Sequence, residues 1–406
     1  MKVSYNLNSF KGLFSNLNWK SILIASLLGL GLVALLFPQP NVIQNSLNIN
    51  ELPVISKIND YDNPWYRAVG APFIVPAIVL NSLIENAPLA ARIISGLFVF
   101  GTIILFYKLI KAWFNQRMAL IAAALLASNS LVLNTARQAT LWAASLFIIV
   151  AVFYCLNLFL RSKDNKFWAF LAFVASIAIA AYLPYGIWII AIATVGLFIY
   201  GKKKLKKISK KQLIIAGTLY ILLLLPLLIS LSGAPGQLKE LLGIYGGFIG
   251  PKSYILHLIY QLTGIYLYAQ LNSVTWVGNL PLLDIFTAAL SLLGIFYFIR
   301  RFRHRRSILI FSSFITLFLT IGLSANYLNY QMLFLPILYI FFIAGLIELM
   351  KRWLTIFPRN PLVLTIGVSL VVIAVAFSVF FQLERYFVAW SNSPTTKSVY
   401  MIKYNQ

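Results

Sequence analysis

GKKKLKKISKKQLIIAGTLYILLLLPLLIS, residues 201–230, carries the pattern that decides the fold. Lysines 202, 203, 204, 206, 207, 210 and 211 stand directly before a run, Gln212–Ser232, that contains no charged residue. A helix rises about 1.5 Å per residue and the hydrocarbon core of a bilayer is ~30 Å thick, so about 20 such residues cross it. Lysines clustered beside a span stay on the cytoplasmic side. The stretch therefore reads as a cytoplasmic loop that feeds a transmembrane helix.

The same grammar extends in both directions. Spans are expected near 21–37, 88–110, 118–136, 139–160, 167–184, 186–200, 212–232, 279–299, 307–323, 329–349 and 362–381. A further apolar piece, Val69–Ile84, is short and contains Pro72 and Pro76, so it is expected to dip into the interface without crossing. With that piece on one side, 24 of the 33 Lys and Arg residues share a face of the membrane and nine lie on the other. The fold class is thus an all-α polytopic membrane protein with about 11 transmembrane helices, its N-terminus cytoplasmic and its C-terminus outside. Trp19, Trp113, Trp168 and Trp353 sit near span ends, as interfacial anchors do. The organisation follows: a cytoplasmic segment 1–20, a membrane domain 21–381 with outer loops 38–68 and 233–278, and an outer tail 382–406. Residues 21–37 lack a small-x-small cleavage pattern before Pro38 and read as an uncleaved anchor in a multi-pass plasma-membrane protein.

Composition narrows the function. A chain that is 61% hydrophobic and 10% charged exposes more apolar surface than a soluble domain could hide. Its net charge of +24 is distributed as topology signals, so nucleic acid is not an expected partner. The single Cys155 forbids an internal disulfide. His257 and His304 are far apart in sequence, so no metal site is read; the sequence commits to no cofactor and leaves a divalent cation open.

Chemistry then falls to the few acids on the outer side: Glu51, Asp60, Asp62, Glu85, Glu240 and Glu384, with Asp284 just inside a span. A carboxylate is the usual base when a hydroxyl must lose its proton without histidine or metal. The cluster Asn59-Asp60-Tyr61-Asp62-Asn63-Pro64-Trp65-Tyr66-Arg67 places two carboxylates, an arginine and three aromatics before the proline-bearing dip. It reads either as a base beside a sugar-stacking platform or as an ordinary solvated turn. Arg137 lies between two apolar runs on the side that basic residues avoid, which makes it a site candidate. Arg92, four residues into a span, is expected to snorkel to the interface. The outer tyrosines 182, 185, 327 and 330 are expected mainly in the interfacial belt, and His257 at the interface.

Residues from about Gly70 to Gly186 resemble the membrane core of the GT-C glycosyltransferases, in the protein mannosyltransferase and lipid A aminoarabinose transferase branch (glycosyltransferase family 39). The resemblance rests on Ala71-Pro72-Phe73, Glu85-Asn86-Ala87-Pro88-Leu89-Ala90-Ala91-Arg92, Phe114-Asn115-Gln116-Arg117, Asn134-Thr135-Ala136-Arg137 and Tyr182-Leu183-Pro184-Tyr185-Gly186. Tyr330–Arg359 and Arg385–Trp390 are similar to later parts of the same proteins. The resemblance implies a sugar donor on a polyprenyl phosphate, an acceptor that is a glycan, lipid or protein, and inversion at the sugar. It implies that Asp60, Asp62 or Glu51 takes the acceptor's proton and that Arg137, Arg67 or Lys252 holds the phosphate. Trp65, Tyr66 and Tyr185 would stack on sugar or acceptor.

The chain departs from the family pattern in three places. Its acids come late after the first span, Trp142 stands where an Asp is frequent, and Tyr182–Gly186 lacks a common Lys. The choice among the three carboxylates stays open, and so does a relative that binds lipid-linked glycan without transferring it. A polymerase, ligase or flippase of lipid-linked glycans is the alternative from another class, but the late outer loops are short and poor in Arg and His. An ion-coupled transporter would need acids within spans and internal repeats, whereas Asp284 and Glu348 lie close to span ends and no repeat is evident.

Overall fold

A computed structural model describes residues 46–60, 68–162, 166–244, 249–268, 274, 279–356, 361–400 and 402–403. All of them belong to the unit Pro38–Gln406. The expected span 21–37 and four of the candidate residues, Asp62, Trp65, Tyr66 and Arg67, lie outside the described residues.

The chain is mostly helical. A two-residue strand β1 (Ser46–Leu47) leads to α1 (Leu52–Asn59), α2 (Ala71–Ile84), α3 (Ala87–Trp113), α4 (Gln116–Ser128), α5 (Ser130–Ala136) and α6 (Trp142–Arg161). Then come α7 (Lys166–Ala180), α8 (Gly186–Leu205), α9 (Lys210–Gly233), α10 (Gln237–Leu242) and α11 (Pro251–Tyr266). The last third holds α12 (Ile285–Arg300), α13 (Arg305–Gly322), a 3-10 turn (Tyr327–Phe334), α14 (Leu335–Ile356), α15 (Pro361–Glu384), a π turn (Arg385–Trp390), α16 (Pro394–Val399) and β2 (Ile402–Lys403).

Helix starts follow the local chemistry. Asn86 accepts from Leu89 N at 3.0 Å and Pro88 occupies the first turn of α3, where its missing N–H costs nothing. Ser209 and Gln212 close a reciprocal capping box on α9, so the span opens directly after the lysine run. Asp284 caps α12 through Thr287 N at 3.0 Å, which gives that intramembrane carboxylate a structural role.

Among the described residues seven helices are long and apolar enough to cross a membrane, or eight if α4 and α5 form one bent span. Every span expected after residue 37 coincides with a helix, yet several fall short of the expected length. The expected 167–184 shrinks to the 15 residues of α7, and 279–299 to the 16 residues of α12. The piece expected to dip is α2, 14 residues long with Pro76 inside, roughly 21 Å at helical rise and too short to span. The expected span 118–136 breaks at Asn129 into two helices inclined by 64°. Asn129 leaves helical geometry (ψ 127°), caps α5 through Leu131 N at 3.0 Å, and the amide of Ser130 is taken up by Gln382 Oε1 at 3.2 Å.

Packing distinguishes inner from peripheral helices. In the most apolar 18 residues of Tyr327–Ile356, 83% are buried, against 17% of those in Lys210–Gly233 and 11% of those in Leu362–Trp390. The exposed faces of α9 and α15 are apolar (Ile214, Leu222, Phe377, Phe380), as a lipid-facing surface requires. The helices α12 and α14 meet backbone to backbone: a Cβ on Gly294 would lie 1.7 Å from Phe341 O, and one on Gly345 1.9 Å from Leu290 O. Small residues permit such approach in membranes, where dispersion and not hydrophobicity holds helices together.

Two expectations are corrected. Tyr182, Tyr185, Tyr327 and Tyr330 are all buried within the bundle and do not form an interfacial belt. Arg92 does not snorkel; its side chain is only 5% exposed and is turned inward.

Candidate functional site

The first part of the site grows from the end of β1. Glu51 occupies the N-cap position of α1 but leaves its own helix uncapped, directing its carboxylate into the bundle, where the residue is fully buried. Five N–H groups converge on it. Oε1 accepts from Arg92 Nε at 3.1 Å and Ala139 N at 2.8 Å; Oε2 accepts from Arg92 Nη2 at 3.1 Å, Asn48 N at 3.1 Å and Asn48 Nδ2 at 3.2 Å. Two carboxylate oxygens offer about four lone-pair positions. In this arrangement Glu51 therefore has none left for an acceptor's proton. Arg92 also donates to Ser46 O at 2.9 Å, so the pair ties β1, α1, α3 and the turn after α5 into one body.

That turn, Arg137–Leu141, is the second part. Arg137 ends α5 as its C-cap and is 3% exposed. Its guanidinium lies 5.4 Å from the centroid of Tyr386 and 5.3 Å from that of Phe387, within cation–π range. Gln138 Nε2 donates to Tyr400 Oη at 2.8 Å and Val274 O at 3.1 Å, and also to Asn134 Oδ1. The Gln138 carbonyl accepts from Ser95 Oγ at 2.6 Å.

The third part is the chain's end. Tyr386 stacks on Trp390 at 5.4 Å, and Trp390 meets Tyr400 edge-on at 5.8 Å. Arg385 fixes the π turn by donating to Pro281 O at 2.8 Å and Leu280 O at 3.1 Å. Beyond α16, Ile402 and Lys403 pair antiparallel with Leu47 and Ser46. Burial, and then the Glu51 carboxylate, push the Tyr400 phenol well above its ordinary range, so it remains a neutral hydroxyl beside the ion pair.

The remaining candidates stand apart from this cluster. Asp60 is the exposed C-cap of α1, its N–H on Ser56 O at 2.8 Å. Lys252 is exposed in the first turn of α11 and makes none of the contacts above. Tyr185 is fully buried at φ 61°, a left-handed conformation unusual for a side chain of its size. Its Oη donates to Gly243 O at 3.0 Å and its ring lies 4.7 Å from Tyr330. The ring clamps the start of loop two: Gly243 has φ 79°, and a Cβ there would meet the Tyr185 ring at 2.3 Å. Beside this clamp, Lys57 on α1 and Glu240 on α10 pair at 3.4 Å and link the two loops. Among the described residues no three His, Cys, Asp or Glu side chains gather into a metal-binding group.

Two of the sequence candidates, Glu51 and Arg137, meet in this cluster; Arg92 as the partner of Glu51, and Gln138, Trp390 and Tyr400, are not among those candidates. A charge inside an apolar helix was the available signal for Arg92. The others are separated by up to 262 positions in sequence and carry no local signature.

Residues 71–229 match the model of the family described as dolichyl-phosphate-mannose-protein mannosyltransferase. No curated protein sequence matches the chain. Among solved structures, ArnT from Cupriavidus metallidurans bound to undecaprenyl phosphate is similar with a TM-score of 0.57 and 14% identity, over 94% of this chain and 76% of that one. The Archaeoglobus fulgidus oligosaccharyltransferase tethered to an acceptor peptide with the NVT sequon gives 0.60 and 14%, over 98% and 57%. AglB from the same archaeon, in complex with an inhibitory peptide and a dolichol-phosphate, gives 0.57 and 11%, over 97% and 57%. The chain thus spans little more than half the length of the archaeal enzymes.

Proposed function

Because the chain is a multi-pass membrane protein with the GT-C glycosyltransferase fold, we propose that it moves a sugar from a polyprenyl-phosphate donor to an acceptor at the end of the bundle that carries loops 38–68 and 233–278. The observation that carries this reading is Arg137. It is a buried guanidinium at the end of a broken helix, packed against the rings of Tyr386 and Phe387, and its turn is tied to the Glu51–Arg92 pair through Ala139 N. A cation at the end of an apolar helix is a site candidate, and a guanidinium suits a phosphate.

The acceptor hydroxyl gives its proton to the carboxylate of Asp60 or Asp62. Its oxygen attacks the anomeric carbon from the face opposite the phosphate, the sugar–oxygen bond breaks with its electron pair leaving on the lipid phosphate, and the sugar inverts. Arg137 stabilises the charge that grows on that phosphate. A preorganised donor of this kind contributes about 2.7–4 kcal/mol in other enzymes. Arg67 and Lys252 are the remaining candidates for the phosphate, and Trp65 and Tyr66 for stacking on the sugar. Glu51 is assigned to holding Arg92 and the Arg137–Leu141 turn in place. The lipid-phosphate-bound states of ArnT and AglB support a lipid-linked donor.

The test is transfer from labelled polyprenyl-phosphate sugars by the purified protein in nanodiscs, with and without a divalent ion. Asp60→Asn or Asp62→Asn is expected to abolish transfer while donor binding persists, and Arg137→Met to lower turnover at least a hundredfold. Full activity in both amide variants would remove the carboxylate mechanism. Donor binding with no transfer by the unmodified chain, to any acceptor class, would make it a binding relative.

A further inference from the structure

We infer that the segment Arg385–Tyr400, together with the Arg137–Leu141 turn, forms the carbohydrate-reading part of this site and contacts the donor's sugar hydroxyls through Trp390 Nε1, Gln138 Oε1 and Thr140 Oγ1. The inference rests on the transferase reading and goes beyond it by naming what distinguishes one sugar from another.

The three atoms share an unusual condition. Trp390, Gln138 and Thr140 are 2%, 0% and 2% exposed, and each of these atoms is without a hydrogen-bond partner among the described residues. A buried polar atom left so is unfavourable, and native proteins keep few of them. The three are also contiguous. Trp390 lies edge-on to Tyr400, whose hydroxyl accepts from Gln138 Nε2, and Thr140 N donates to Gln138 O at 2.9 Å. Thr396 Oγ1, on α16 of the same segment, shares this condition, whereas Asn81 Oδ1 on α2 and Tyr200 Oη on α8 lie on elements that contribute nothing to the cluster.

The donor set is chemically mixed. The indole offers a donor only, the amide oxygen an acceptor only, and the threonine hydroxyl either. A phosphate would want donors alone, and a lipid tail none. Adjacent ring hydroxyls, each giving and accepting, fit such a set, and the rings of Tyr386, Trp390 and Tyr400 supply the apolar faces that flank a sugar. The set lies on the two sides of Arg137: Gln138 and Thr140 follow it in sequence, and Tyr386, under its guanidinium, stacks on Trp390. A sugar attached to a phosphate held there would reach both. Access requires the tail to lift. It is held by short elements, a six-residue π turn, a six-residue helix and a two-residue strand pair, which open more readily than long ones.

The test measures, on the full chain in nanodiscs, the affinities for bare undecaprenyl phosphate and for undecaprenyl phosphate carrying a hexose or an aminosugar. Trp390→Phe keeps the ring and removes the N–H; Thr140→Val keeps the shape and removes the hydroxyl. Each is expected to lower the preference for the sugar-bearing over the bare lipid about tenfold, the worth of one hydrogen bond. An unchanged preference in both variants, with melting temperatures unchanged, overturns the inference and leaves the transferase reading intact. A wild-type chain that binds none of these lipids removes the transferase reading, and the inference falls with it.

Discussion

Glu51 and Arg92 show how far single residues could be read. The sequence singled out both, one as an acid on the acid-poor outer side and one as a charge inside an apolar helix. It could not pair them, because 41 positions and the start of a helix separate them. A buried ion pair is expensive to break from one side: removing a single partner costs about 3–5 kcal/mol, whereas replacing both with apolar side chains is often close to neutral. Glu51→Leu or Arg92→Met alone is therefore expected to lower the thermal midpoint in detergent sharply, and the double variant to recover most of the loss. Additive losses in the double variant would show that the two charges act separately. The same logic explains why four lone pairs' worth of donors on Glu51 exclude it from proton abstraction in this arrangement, something no count of acids could reveal. Trp390 and Tyr400 were illegible for another reason. Aromatic residues in a tail look alike in sequence, and only the return of the tail to β1 brings them to Arg137.

Elements were more legible than contacts. Apolar length and flanking charge located every helix expected after residue 37, because those properties are local. What they could not supply was where a helix breaks or how near its neighbour lies. The break at Asn129 depends on Gln382, 252 positions away, accepting from the amide of Ser130. The approach of α12 to α14 depends on two glycines that have no unusual surroundings in sequence. Gly345 is set against Gly217, where a Cβ would meet nothing within 4 Å. Gly345→Ala must push a Cβ into the Leu290 carbonyl and is expected to destabilise by at least the 1–3 kcal/mol typical of overpacking. Gly217→Ala, in the exposed interior of α9, is expected to be neutral or to stabilise by about 1 kcal/mol through helix propensity. Thermal midpoints of the two variants in the same detergent check the contrast. Equal effects would mean that backbone contact between α12 and α14 contributes little to holding the bundle.

At the scale of the whole molecule, charge placement makes the strongest claim. Arg306 donates to the carbonyl of Trp113, where α3 ends, and Arg305 lies over Tyr200 beside the lysine run, whereas Arg92, near the start of the same 27-residue helix, holds Glu51 and through it the turn after Arg137. The positive-inside bias is then expected to set the basic end in the cytoplasm and the site on the far side, where the proposed polyprenyl-linked donor would have to meet its acceptor. A protein whose site faced inward would have to retain seven lysines in one loop on the translocated side, against the bias that orients such chains. Single cysteines test this directly once Cys155, the chain's only cysteine, is replaced by Ala. Ser56 on α1 and Lys207 after α8 are both exposed, so accessibility alone does not separate them. A membrane-impermeant maleimide applied to intact cells is expected to label Ser56→Cys, and to reach Lys207→Cys only after permeabilisation. The reverse pattern would place Asp60 and Arg137 in the cytoplasm. Both the acceptor's side and the leaflet that supplies the donor would then have to be exchanged.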